Sequence, residues 1–222
     1  MTEIVIRNKE FLQTLDNTVE RFLEHRDLMT ELSTSLKGIP IGEGEKYCQP
    51  DHLWSMLENW EDHVGFPEEG YGFQVSHGVQ MRPDVFEPLK DWTKNEMVGL
   101  MGARSNSLTS YYPPKGFVGW HTNWNAYGWQ LIMSWSETGD GYFSYYDKKS
   151  DKIITEDDVK GWQARWYRFG RIDEPEHHCW HTAYTESPRF TLAFKWPYGL
   201  LCENLDTTLS SIQMMIEEIE ND

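Results

Sequence analysis

Cysteine is scarce in this sequence: Cys48, Cys179 and Cys202 are the only three among 222 residues. They are too few and too scattered for a disulfide framework or a CxxC metal clamp, and their scarcity fits a reducing, intracellular compartment. Long apolar runs are missing too. No stretch could span a bilayer, and the opening MTEIVIRNKEFLQTLDN lacks the uninterrupted apolar core of a signal peptide. The expectation is a soluble, cytoplasmic protein. Basic residues are outnumbered, twenty Lys and Arg against thirty-six Asp and Glu, for a formal charge of -16. Such a charge repels phosphate backbones and anionic headgroups, and no Lys/Arg cluster offsets it, so neither duplex nucleic acid nor a membrane is expected as partner. There is no internal repeat and no low-complexity segment.

Aromatic side chains are abundant instead. Eleven Trp and eleven Tyr concentrate between residues 111 and 198, where they suit the interior of a β structure. The whole chain, 1–222, has the length of a single domain. EIVIR at 3–7 reads as a short strand, and Phe11, Leu12, Leu15, Val19, Phe22 and Leu23 recur at helical spacing. That helix, or a second one through Leu36, should end near Gly38 and Pro40. Residues 41–82 read as loops with one short helix around His52 to Trp60, and Pro83 to Trp92 as a further helix, making 1–100 mainly helical. Residues 105–198 carry short aromatic and β-branched runs separated by the turn formers PPKG, ETGDG, KKSDK, DEPE and TESP. Leu205, Leu209, Ile212, Ile216 and Ile219 then return to helical spacing, so 204–222 should close the chain with a helix. The pattern predicts an α+β protein: a jelly-roll barrel with flanking N- and C-terminal helices and its site in the barrel mouth.

Metal-capable residues gather at two places in the β region. His121 and Asn123 lie two apart, the spacing that puts both on one face of a strand. In HHCWHTAYTESPRFTLAFKW, residues 177–196, His181 precedes Arg189 by eight residues across a Ser187-Pro188 turn. His178 is the reserve choice for the distal ligand. A single strand histidine is more often a hydrogen-bonded structural residue, and Arg189 alone could be a surface ion-pair partner; the joint order is what carries weight.

That order resembles the double-stranded β-helix of the 2-oxoglutarate- and Fe(II)-dependent oxygenases, in the prolyl-hydroxylase-like branch. Their pattern is HxD or HxE, a distant His, then an Arg or Lys about a strand later. Tyr112, nine residues before His121 in SYYPPKGFVGWHTN, matches the segment whose Tyr contacts the cosubstrate. Arg189-Phe190-Thr191 is similar to the R-x-S/T pair that holds the far carboxylate of 2-oxoglutarate. SWSETGDGYFSYYD at 134–147 resembles the turn and strand that follow HxD. The resemblance covers about residues 105–196 and implies a cupin-like barrel in which His121, Asn123 and His181 hold Fe(II) while Arg189, Thr191 and Tyr112 hold 2-oxoglutarate. It implies hydroxylation or another oxidation of a peptide side chain, an amino acid or a small metabolite.

Asn123 departs from the family pattern. Its carbonyl oxygen could be a neutral third ligand; it could swing away and leave room for water or halide, as in related halogenases, which have Gly or Ala there; or the site could have lost its iron, leaving a binding or assembly module. Glu137, Asp140 and Asp147 are nearby carboxylates that could replace the missing one. A cupin-like metal enzyme without 2-oxoglutarate would leave Arg189 and Thr191 without a purpose. Trp120, Trp124, Trp129 and Trp135 are expected mainly as packing, with Trp124 and Trp129 the candidates for substrate contact. Cys179 has no paired base, and His52, His63 and His77 read as surface or loop residues. The substrate and the oligomeric state are not legible.

Overall fold

A computed structural model describes residues 2–59 and 65–196. The helix expected at 204–222, together with His63 and Cys202, lies outside them. The chain opens with β1 (Thr2–Ile4) and helix α1 (Lys9–Leu23). Helix α1 begins where the Asn8 side chain accepts the Phe11 N–H at 2.9 Å, an N-cap that satisfies one of the helix's orphan donors. Its buried face is Phe11, Leu15, Val19 and Phe22. Then come α2 (Arg26–Glu31), the two-residue β2 (Thr34–Ser35) and α3 (Pro50–Asn59). Next are β3 (Gly70–Gln74), α4 (Val75–Met81), α5 (Pro83–Asp91) and α6 (Met97–Met101). The second helix stops at Glu31, short of the expected Leu36, because the chain turns into β2 and then takes positive φ at Lys37 and Gly38.

Eight more strands follow. They are β4 (Ser105–Tyr112), β5 (Phe117–His121), β6 (Gly128–Ser136), β7 (Gly141–Asp147), β8 (Lys152–Asp157), β9 (Gly161–Phe169), β10 (His181–Thr185) and β11 (Arg189–Trp196). All strand pairs are antiparallel, in the order β1-β9-β6-β11-β4-β3-β5-β10-β7-β8, with β2 beside β3. The sheet curls into a jelly-roll, cupin-like barrel with helices on its outside. Strands β8 and β9, consecutive in the chain, stand far apart in this order, β8 at one end and β9 next to β1 at the other. Curling brings their side chains together, Glu156 against Arg165 and Asp158 against Gln163.

The segment 41–82 contains more than the expected loops and one helix. Its β3 joins the two halves of the barrel by pairing with β4 on one side and β5 on the other. GYGF hides this strand because glycine has low strand propensity. The structure supplies the reason for Gly72: a Cβ there would stand 3.0 Å from the Tyr111 carbonyl oxygen and 2.9 Å from the Tyr112 ring.

Strand alternation sets two different surfaces. On β11, Phe190, Leu192 and Phe194 face the helices, joined by Leu131 and Met133 of β6 and Trp166 of β9. Phe11 and Leu15 of α1 and Met97 and Met101 of α6 cover that face. The alternate residues of the same strands, Ser134, Gln163, Arg165, Arg189 and Thr191, are also buried but look inward. On the other half, Ile39, Cys48, Leu53 and Met56 cover the back of β5 and β10. The half of the barrel that holds β6, β9 and β11 thus has a polar inner lining behind an apolar outer face.

Candidate functional site

Strands β5 and β10 pair so that His121 and His181 are direct partners. The register slips between His181 and Ala183: the one residue of β10 between them, Thr182, opposes two of β5, Gly119 and Trp120. This bulge returns His121 to the same inward face as Val118 and re-aims its ring into the barrel. Both histidines are 4% exposed, and their ring centroids are 4.1 Å apart.

Each imidazole is tied to a carbonyl two residues earlier in its own chain. His121 Nδ1 donates to Gly119 O at 2.8 Å and His181 Nδ1 to Cys179 O at 2.8 Å. A carbonyl only accepts, so both rings carry their proton on Nδ1 and keep the Nε2 lone pair. That tautomer suits coordination through Nε2, with the second nitrogen held by the surrounding shell. Burial lowers His181 from 6.5 to about 4. It also holds His121 well below its ordinary value, with neighbouring His181 adding to the effect. Both rings are therefore neutral near pH 7 and need lose no proton to take up a cation.

Asn123 lies just past the end of β5, in the left-handed region at φ 57, ψ 25, not on the strand itself. Asparagine tolerates that conformation better than most residues. The Asn123 N–H is fixed to Gly65 O at 2.8 Å, and the side-chain Nδ2 donates to His181 Nε2 at 3.2 Å. The amide thus stands at the coordinating nitrogen, and a half-turn about its last bond would put Oδ1 there instead. Phe143 and Phe169 pack on His181, ring centroids 5.7 and 5.1 Å away, and Tyr167 packs on both of them. They form an apolar wall that keeps water from the pair.

Arg189 and Thr191 lie across from Tyr112 and Ser110 of β4 and from Ser136 and Ser134 of β6. The sequence does not disclose the partner that the structure gives Arg189. Its Nε donates to Asp158 Oδ2 at 2.9 Å and Nη2 to Oδ1 at 3.5 Å, while Nη1 donates to Thr191 Oγ1 at 3.1 Å. The ion pair is buried, with side chains 4% and 0% exposed. Asp158 also accepts from Gln163 Nε2, and Gln163 Oε1 accepts from Arg165 at 3.4 Å. The Tyr167 hydroxyl, on the same wall, is buried and has no hydrogen-bond partner among the described residues. A buried unpaired hydroxyl beside two arginines is the kind of group a ligand satisfies. Burial raises the Tyr167 and Tyr112 phenols, so both stay protonated donors.

The other candidates are placed elsewhere. His178 Nε2 is bound to Arg171 O at 2.7 Å. Glu137 pairs with Arg26 at 3.2 Å, Asp140 accepts from Thr138, and Asp147 from Ser150 and Lys149 N, so none of the three stands in for the missing carboxylate. Among the described residues no group of three His, Cys, Asp or Glu is arranged to hold a metal. Trp129 stacks on Trp166, 5.5 Å between centroids, on the helix-covered face, and so does not reach the mouth as a substrate contact. Trp124 sits beside Gly65 at the rim, in the turn 124–126 that follows Asn123. Cys179 has its thiol raised to about 12 by burial, which makes a nucleophilic role still less apt. Among the described residues no helix is long and apolar enough to cross a membrane.

No family model matches the sequence, and no curated protein matches it. Solved structures with which it shares shape include cupin domains. A Pseudomonas putida prolyl-4-hydroxylase aligns over 78% of this chain and 100% of its own, at 9% identity and TM-score 0.32. Bacillus subtilis oxalate decarboxylase aligns over 63% and 28%, at 12% identity and TM-score 0.30. The Drosophila melanogaster CENP-C cupin domain aligns over 40% and 54%, at 9% identity and TM-score 0.27, so this chain spans about half of that domain. The architecture stands on the strand order and the inward lining rather than on these scores.

Proposed function

We propose that this chain is a non-haem metal oxygenase that binds Fe(II) between His121 and His181 in the barrel and uses a chelating 2-oxo acid as cosubstrate. The observation that carries this reading is the pair of buried, neutral imidazoles, each with Nδ1 on a carbonyl and the lone pair on Nε2, which in His181 accepts from the Asn123 amide. The donor set fits a divalent ion through two nitrogens and, on turning its amide, Asn123 Oδ1. With no charged ligand it fits more weakly than two histidines and a carboxylate would.

Bound Fe(II), with a 2-oxo acid and dioxygen, supplies the oxidising chemistry for hydroxylating a peptide side chain, an amino acid or a small metabolite. The chain's own residues do the rest. Gly119 and Cys179 carbonyls orient the imidazoles, and Phe143 and Phe169 exclude water. Thr191, Tyr112 and Arg189 line the wall where the far end of the cosubstrate would lie. The resemblance implies 2-oxoglutarate, and there the residues fit at one end only. The chelating end meets the histidine pair, but the guanidinium meant for the far carboxylate already carries Asp158.

The opposing reading, a barrel retained for binding without turnover, draws on the Asn123 amide seated on His181 Nε2. Anaerobic calorimetry of 2-oxo acid binding with and without Mn(II), on the parent and on Asn123→Asp, separates the two. Metal-dependent binding in the parent supports the oxygenase reading. Binding only in Asn123→Asp means the barrel has lost its iron site, and binding in neither contradicts the reading altogether.

A further inference from the structure

Both ends of the inner wall depart from simple charge pairing, and they do so in opposite directions. At the metal end the three candidate ligands are neutral, so a bound divalent ion would keep its full charge. At the far end the one cation facing Thr191 is already matched by Asp158. That carboxylate is held rigidly: its backbone N–H donates to Gly141 O at 2.8 Å, and a Cβ at Gly141 would stand 2.6 Å from its Oδ2. It is therefore a fixed part of the wall, not a mobile side chain that would yield to a ligand.

We propose, resting on the reading above, that Asp158 sets cosubstrate choice, and that the barrel takes a 2-oxo acid whose far end is polar but uncharged in preference to 2-oxoglutarate. A second carboxylate placed beside Thr191 would share one guanidinium with Asp158 in a buried setting, where like charges repel strongly and little water intervenes. An amide or hydroxyl meets no such repulsion. It finds donors and acceptors in Thr191 Oγ1, in Ser134 Oγ 3.5 Å from it, and in the Tyr167 hydroxyl, which has no partner among the described residues. The full metal charge, unshared with any protein carboxylate, strengthens the grip on the chelating oxo and carboxylate groups. Specificity is thus shifted from the far end to the near one.

The test is anaerobic calorimetry on the full chain loaded with Mn(II), comparing 2-oxoglutarate with its C5 monoamide, 2-oxoglutaramate, in the parent and in Asp158→Asn. Asparagine keeps an acceptor for Arg189 Nε and removes the charge, while its amide nitrogen takes the place of the oxygen that accepts from Gln163 Nε2. The parent should bind the monoamide at least as tightly as 2-oxoglutarate, and Asp158→Asn should move the ratio toward 2-oxoglutarate by about tenfold or more. A parent that prefers 2-oxoglutarate by about tenfold, or an Asp158→Asn ratio equal to the parent's, overturns the proposal. Should Asp158→Asn fail to fold, the parent's ranking decides alone. If neither ligand binds with Mn(II) in either protein, the oxygenase reading itself has failed and this proposal falls with it, an outcome distinct from binding with the wrong preference.

Discussion

His121 and His181 face each other across paired strands with ring centroids 4.1 Å apart, each anchored through Nδ1 to the carbonyl two residues before it. Burial works against charge on either ring, and a second cationic imidazole would add repulsion, so the neutral pair is the favoured state. The sign of the resulting pH dependence follows from linkage. In the unfolded chain His181 takes up a proton near 6.5, whereas in the folded chain it resists until about 4. Between those values the unfolded state binds more protons, so stability falls as pH drops through this window and is flat above it. The expected slope is about 1.4 kcal/mol per pH unit for each such histidine. Urea denaturation of metal-free protein at several pH values, compared with His181→Asn, checks it; identical profiles would show that the histidine does not contribute.

Removing one member of the buried Arg189–Asp158 pair strands the other charge. Arg189→Met should cost about 3–5 kcal/mol of folding stability, and the double change Arg189→Met with Asp158→Leu should recover most of it. Denaturant midpoints at constant slope measure both. A double variant as unstable as the single one would mean that the cost comes from packing and not from the bare carboxylate.

Tyr167 carries its hydroxyl into the barrel without a partner among the described residues. Tyr167→Phe should therefore leave the metal-free protein more stable by about 1 kcal/mol, since a desolvated unpaired group is removed. The same change should weaken binding of any ligand that uses the hydroxyl. A loss of stability would show that the hydroxyl is already satisfied.

On the opposite face, Phe190 fastens α1 to the barrel, its ring 5.1 Å from Phe22 and 5.0 Å from Tyr111. Phe190→Ala should cost about 3–5 kcal/mol by opening a cavity there. Metal binding under native conditions should be unchanged, because the neighbouring Arg189 and Thr191 point the other way. An altered metal affinity would reveal coupling between the two faces.

Much of this was legible in the sequence and some was not, for physical reasons. The helical spacing from Phe11 to Leu23 and the strand run RFTLAFKW are local patterns, and both elements form. His121, His181, Arg189 and Thr191 could be picked out because their joint order along the chain resembles a known family pattern, and an order of that kind survives in one dimension. Strand β3 escaped notice because Gly70 and Gly72 are chosen for close backbone approach, which a propensity scale records as loop. Asp158 is not legible in the sequence for a different reason. It lies thirty-one residues from Arg189 at a turn full of acidic residues, and only the curling of β8 toward β9 brings it inside. The bulge that re-aims His121 has no signature at all, since it depends on the partner strand. Placing Asn123 on the strand was likewise an extrapolation of period two beyond the point where β5 ends.

The central claim is that His121 and His181 jointly hold one divalent ion. Titrating Mn(II) into metal-free protein under argon, and following loss of the free-ion electron paramagnetic resonance signal, tests it most directly in the parent, His121→Ala and His181→Ala. One ion per chain in the parent, with binding lost in both variants while each remains folded, is the expected result. Unchanged binding in the two variants, or no binding by the parent, would contradict it.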